Sequence, residues 1–94
     1  MRRTLVASDE LREMVRHLPP NLKRKIKLAI EEIVINPSSG KALQEELLGL
    51  FSYRVGNVRV LYRVEGQAVQ LVTIGPRKTV YQKAALELRR QDKA

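Results

Sequence analysis

The stretch from Leu48 to Tyr81, LGLFSYRVGNVRVLYRVEGQAVQLVTIGPRKTVY, decides the fold. It is dense in β-branched residues and is broken at Gly56-Asn57 and at Glu65-Gly66-Gln67. Apolar runs joined by short Gly-containing breaks read as hairpins, and three in series read as a β-meander. A two-residue Gly-first loop at Gly56-Asn57 sets Val55 against Val58 and Arg54 against Arg59. The pairing continues as Tyr53 with Val60, Ser52 with Leu61 and Phe51 with Tyr62. Strand side chains alternate between faces. One face therefore collects Phe51, Tyr53, Val55, Val58, Val60, Tyr62 and Val64, and the other Ser52, Arg54, Arg59, Leu61 and Arg63. Like charges directly opposite on a sheet are unfavourable. Two readings of the Arg54–Arg59 pair follow: an anion bound between the two guanidinium groups, or a polar face open to solvent.

Working outward, the strand-like runs are about Leu50–Val55, Val58–Glu65 and Ala68–Ile74. The last is apolar on both sides, Val69 and Leu71 on one and Val72 and Ile74 on the other, as expected of a strand nearer the sheet centre. Gly75-Pro76 breaks it, Arg77-Lys78-Thr79 is expected on an exit loop, and Val80–Arg90 forms a short helix carrying Tyr81, Ala84, Ala85 and Leu88. Gln91–Ala94 is expected to fray. Upstream, Arg2–Ala7 reads as a short strand or an extended lead-in. Ser8 before Asp9 and Glu10 has the form of a helix N-cap with acids in the first turn. Leu11, Met14, Val15 and Leu18 make one apolar stripe, and Leu22, Ile26, Ala29, Ile30 and Ile33 a second. Pro19-Pro20 separates the two helices, and the second should stop before Asn36-Pro37. Lys41–Leu48 is ambiguous, with a short helical turn one reading. The two stripes need a cover, and the Val/Tyr face of the sheet supplies it. The expected fold is α+β: one domain over 1–94, with an N-terminal helical hairpin on a 3–4-stranded antiparallel sheet and a short C-terminal helix.

Composition narrows the function classes. The 94 residues carry a formal charge of +8, which favours a polyanionic partner, most often nucleic acid. Between Leu47 and Lys83 six basic residues face one acid, Glu65, so the sheet and its exit hold much of that charge. There is no cysteine and one histidine, His17, which excludes disulfides and a His/Cys zinc site. His17 reads as a helix C-terminal cap or surface residue. No apolar run reaches membrane-spanning length and no signal peptide is visible, so the expected location is the cytoplasm. The chain lacks a nucleophile elbow, a phosphate-binding glycine loop, a Cys/His pair and a carboxylate-rich metal cluster. Arginine, lysine and tyrosine remain. Such a set suits RNA cleavage, because the RNA's own 2′-hydroxyl can attack the adjacent phosphate. The protein then orients the backbone, stabilises charge on the phosphorane and manages two protons. Guanidinium groups match phosphate geometry and are bidentate.

The segment L-G-x-x-x-Y-R-V-G-N-V-R-V-L-Y-R-V, followed by an apolar strand and I-G-P-R-K-T-V-Y, resembles the RelE/ParE superfamily of bacterial toxins. The resemblance covers nearly the whole chain and is strongest over Leu47–Tyr81. Family members place a helical hairpin before an antiparallel sheet, the order derived above. The resemblance implies that Arg59 contacts the scissile phosphate and that Arg54, on the preceding strand, binds it too. It implies that Arg77 stabilises the transition state or protonates the leaving 5′-oxygen. It implies that Tyr81 stacks on a base and serves as general base. Lys78 and Arg63 are further candidates for phosphate or RNA binding, Arg63 being also readable as an ordinary surface charge. No metal or other cofactor is implied. Two departures stand out: Ser52 where some ribosome-dependent relatives carry a second basic residue, and Pro76 where many have histidine. Tyr53 and Tyr62 read as packing residues, and Lys23–Lys27 as a solvated helix face.

What the resemblance implies is a type II toxin that cleaves mRNA in the ribosomal A site without a metal. It also implies restraint by a cognate acidic antitoxin, with oligomers formed mainly through that partner. Two alternatives remain open on the residues alone. One is a ParE-like inhibitor of DNA gyrase with no enzymatic activity, and the other a non-toxic basic RNA-binding module.

Overall fold

The computed structural model describes residues 3–92. Arg2, at which the first strand is expected to begin, and Lys93 and Ala94, in the tail expected to fray, lie outside the described residues. The elements in order are β1 (Thr4–Val6), α1 (Asp9–Arg16), α2 (Pro20–Ile35), β2 (Lys41–Ala42), β3 (Leu50–Val55), β4 (Val58–Glu65), β5 (Ala68–Pro76) and α3 (Arg77–Asp92). Single 3₁₀ turns lie at Pro37–Ser39 and Glu45–Leu47. The strands form one sheet in the order β1-β5-β4-β3-β2.

The β3–β4 hairpin has the expected register, Val55 with Val58, Arg54 with Arg59 and onward to Phe51 with Tyr62. Gly56 takes φ +60°, a conformation cheap only for glycine, so the two-residue turn forms and locks the register. Of the seven residues expected on one face, Val60 and Tyr62 lie in one buried core cluster and the other five, partly buried, pack against it. That face is covered by the helical hairpin. Ser8 caps α1, its hydroxyl accepting from the Leu11 N–H at 3.1 Å, and α2 stops at Ile35 before Asn36-Pro37. Leu11, Ile26, Ala29 and Ile33 are buried, with Val34 beside them. Tyr62 is fully buried, stacks on Phe51 with ring centroids 5.5 Å apart, and donates to the Pro37 carbonyl at 2.6 Å. Its oxygen also accepts from the Gly40 N–H at 3.0 Å.

Three features differ from the sequence expectation. The sheet has five strands and is mixed, because β1 pairs in parallel with β5, Thr4 with Ala68 through Val6 with Gln70. The dipeptide Lys41–Ala42 adds an antiparallel edge strand on β3. Second, β5 contains a bulge: Leu61 opposes Thr73 while Tyr62 opposes Leu71, which leaves Val72 as the extra residue. An extra residue inverts the alternation beyond it. Ile74 therefore joins Val69 and Leu71 in the core under the helical hairpin, and Val72 alone of the four faces the other way. Third, Arg77, Lys78 and Thr79 do not lie on a loop. They form the first turn of α3 directly after β5, and the Arg77 N–H donates to the Asn57 carbonyl of the hairpin turn at 3.0 Å.

The second sheet face carries a smaller cluster: Leu50, Leu61 and Val72 meet Val80 and Ala84 of α3, with Tyr81 and Leu88 packed against them. Val80 and Ala84 are fully buried, so α3 is anchored by its second and third turns. Among the described residues no helix is long and apolar enough to cross a membrane.

Candidate functional site

The site is built on the second sheet face, beside the start of α3. Arg54 and Arg59 are neighbours across the hairpin, and Arg59 in turn neighbours Gly75 on β5. Arg54, Arg59 and Gly75 thus form one rung running across three strands. Directly opposed side chains on a sheet have Cβ atoms about 5 Å apart, so the two guanidinium groups share one patch. Arg54 is exposed and Arg59 half-buried. The Arg59 guanidinium leans toward the turn, Nη1 donating to the Gly56 carbonyl at 3.0 Å and the Val58 carbonyl at 3.2 Å. Those contacts engage one terminal nitrogen of the fork and hold the group at the edge of the rung.

Because α3 starts at the hairpin turn, it brings Arg77 and Lys78, both exposed, to the same end of the sheet. The positive end of the helix dipole adds to this potential. One turn on, Tyr81 lies over β3, and its hydroxyl is 3.4 Å from the Ser52 Oγ. Ser52 is buried and lies two residues from Arg54 on the same face, about 7 Å along the strand. Ser52 is thus the side chain against which the Tyr81 hydroxyl rests. The structure therefore groups Arg54, Arg59, Arg77, Lys78 and Tyr81 at one end of the face.

Arg63 is placed elsewhere. It pairs across the sheet with Leu50 and Gln70, four residues along β4 from Arg59 and so about 13 Å away. Its Nε lies 2.7 Å from a Glu65 carboxylate oxygen and donates to Gln70 Oε1 at 3.1 Å. Pro76 closes β5 with its ring beyond the rung, opposite Val58. His17 caps α1, its backbone N–H reaching the Glu13 and Met14 carbonyls. Among the described residues no three His, Cys, Asp or Glu side chains converge.

Sequence reading passed over Lys83, whose Nζ occupies the space above Gly75, 3.6 Å from where a Cβ there would be. The helical spacing of six residues from Arg77 was no clue without the packing of α3.

A family model described as the ParE toxin of the type II toxin–antitoxin system parDE matches residues 2–81. The chain belongs to the ParE toxin family. The fold agrees with that membership. The chain is similar to a chain of the toxin–antitoxin complex RelBE2 from Mycobacterium tuberculosis, with 28% identity and a TM-score of 0.69. That match covers 82% of this chain and 100% of that one. A free-state mutant of the E. coli toxin RelE superposes with a TM-score of 0.72 at 17% identity, over 92% of this chain and 97% of that one. The YoeB–YefM complex from Staphylococcus aureus gives a TM-score of 0.64 at 20% identity, over 79% of this chain and 95% of that one. No curated protein sequence matches. The chain is a RelE/ParE-type toxin of a type II toxin–antitoxin system.

A second basic surface lies on the opposite side of the molecule. A groove of about 480 Å³ runs between β1 and the helical hairpin, with Leu5, Leu11, Val15 and Ile30 along its floor. Arg12, Arg16, Lys23 and Lys27 stand at its rim with one acid, Glu31. The Lys23 amine donates to the Arg16 carbonyl at 2.9 Å.

Proposed function

We propose that this toxin is a metal-independent endoribonuclease that cleaves mRNA in the ribosomal A site and so arrests translation. The observation that carries the reading is the Arg54–Arg59 rung with α3 starting beside it. An arginine pair that opposes like charges across a sheet is best satisfied by an anion, and a phosphodiester fits guanidinium geometry. In this mechanism Arg54 and Arg59 hold the scissile phosphate. The RNA's 2′-oxygen attacks phosphorus as its proton passes to the Tyr81 phenol oxygen, which releases its own proton to solvent, and the P–O5′ bond breaks as the 5′-oxygen takes up a proton from Arg77 or from water. The products are a 2′,3′-cyclic phosphate and a 5′-hydroxyl. Arg77, at the mouth of the site, offsets the charge that grows on the phosphorane or supplies the leaving-group proton. The groups are preformed but spare, so positioning by the ribosome contributes the orientation that the protein alone does not.

A cognate antitoxin restrains the enzyme in this reading. RelB-type and YefM partners accompany several of the similar toxins. The basic rim and apolar floor of the groove along β1 suit an acidic amphipathic segment, as does the rung itself. Oligomers would then form chiefly through the antitoxin.

The family model and Ser52 favour one other reading, a gyrase inhibitor that keeps the fold without the chemistry. Primer extension on translated mRNA after induction separates the two. Discrete new 5′ ends inside coding sequences, absent for Arg59→Ala, support cleavage. Intact mRNA with arrested DNA replication overturns it in favour of gyrase.

A further inference from the structure

We propose that Lys83 and the side-chain-free position at Gly75 form a second phosphate subsite, which holds the phosphate next to the one gripped by Arg54 and Arg59. The inference rests on the nuclease reading of that rung. Gly75 is the third position of the rung, directly opposite Arg59. A Cβ built there points at α3, with Lys83 Nζ at 3.6 Å and Val80 Cγ2 at 3.7 Å. These are ordinary van der Waals separations, and they place the amine, delivered from the neighbouring helix, directly over the third position of the rung. Side chains on a helix lean toward its N-terminus. Lys83, in the second turn of α3, accordingly reaches back toward the rung and not onward along the helix. The row of positive charge across the sheet therefore reads Arg54 on β3, Arg59 on β4 and the Lys83 amine above β5.

The row continues into a cleft. Thr73, one step up β5 past Ile74, lines a concavity with Lys83, Leu86, Glu87, Arg89 and Arg90. Glu87 is occupied by Arg90, its Oε2 3.4 Å from Arg90 Nη1, so the cleft keeps a positive balance. A polynucleotide held at Arg54 and Arg59 is thus led past Lys83 along the β5–α3 edge, away from the Tyr81 side. Lysine suits this post because a flanking phosphate needs a point charge, while the bidentate arginines grip the reacting one. Lys83 acts in binding and register of the RNA and takes no proton in the reaction.

The test is equilibrium binding of a fluorescein-labelled, 2′-O-methylated single-stranded RNA, which cannot be cleaved, over a series of salt concentrations. The variants are Lys83→Gln, Lys83→Arg, Arg59→Ala and Lys25→Gln, the last removing an exposed charge from α2. Each lost phosphate contact on a single strand lowers the slope of log K against log salt by about 0.7. The expected result is that loss for Lys83→Gln, near wild-type behaviour for Lys83→Arg, and no change for Lys25→Gln. Weakened binding by Arg59→Ala with Lys83→Gln indistinguishable from Lys25→Gln overturns the subsite and leaves the nuclease reading standing. Unchanged binding by Arg59→Ala, or no binding by the wild type, overturns the reading of the rung and the subsite with it.

Discussion

The two faces of the sheet are made by the same strands and put to different uses. Under the helical hairpin the face is closed: Ile26, Ile33, Val60, Tyr62 and Val69 are fully buried, and the Tyr62 hydroxyl at its margin has partners on both sides, the Pro37 carbonyl and the Gly40 N–H. Under α3 the face is closed over only half its length, by Val80 and Ala84. The other half presents Arg54 and Arg59. A 94-residue chain has surface enough for one substantial core, and it builds that core on one side. The difference teaches that the charged rung is sustained by the apolar face behind it. Arg59 alternates with Val58 and Val60, whose burial fixes the strand and so aims the guanidinium.

Substitutions separate the two faces cleanly if that division holds. The largest effect on stability is expected from Ile33→Ala, which empties a fully buried site and costs about 2–5 kcal/mol in chemical denaturation. Toxicity then falls only as the folded fraction falls. Arg59→Ala is expected to do the reverse. The melting temperature stays within a few degrees while growth arrest and cleavage drop about 10²–10³-fold, the scale for losing one preorganised group on a developing charge. Equal losses of stability and toxicity in both variants would break the comparison.

Tyr62→Phe sharpens it on the closed side. Removing the hydroxyl leaves the Pro37 carbonyl and Gly40 N–H without their partner, at a cost of about 1–3 kcal/mol measured at neutral pH. Burial pushes the Tyr62 phenol above its ordinary value of 10.0. The folded protein therefore keeps this proton after the unfolded chain has begun to release it, and stability falls as pH rises past 10.0 toward the raised folded value. Below that range Tyr62 adds no pH dependence. In Tyr62→Phe this alkaline fall should be absent from denaturation curves. The smallest effect belongs to Ser52→Ala. Its bond to Tyr81 is long at 3.4 Å, so stability should change by only about 0.5 kcal/mol. Cleavage should slow several-fold as Tyr81 loses its rest, and Ser52→Thr should restore it.

The legibility of the sequence follows the same boundary. The β3–β4 register was readable because a two-residue glycine turn permits one pairing, and the alternation of Val and Tyr then assigns the closed face. The extra residue at Val72 was not readable. A bulge changes neither composition nor apolarity, so strict alternation put Ile74 with Val72, on the side it does not occupy. The pairing of β1 was hidden because three residues carry little pattern and their partner lies at the far end of the meander. Gly75-Pro76 looked like an end of structure, yet proline is tolerated at the last position of a strand. The Arg77 N–H then finds the Asn57 carbonyl and lets α3 begin at once. For the site, Arg54, Arg59, Arg77 and Tyr81 carried a motif. Ser52 looked like a loss until Tyr81 was placed against it, and Lys83 has meaning only once α3 is docked over Gly75.

The parallel pairing of β1 with β5 has a consequence for how the toxin comes into being. β1 has its sheet neighbour in β5, so it is seated only after both hairpin helices and the intervening strands have been made. The rung is delayed for the same reason, since Gly75 and α3 come after every other strand. Pairings this distant in sequence also slow folding, because loop closure must precede any reward from contact. Before β5 and α3 are made, Arg54 and Arg59 stand without the remainder of the rung. A partner protein made alongside it has that interval in which to be waiting.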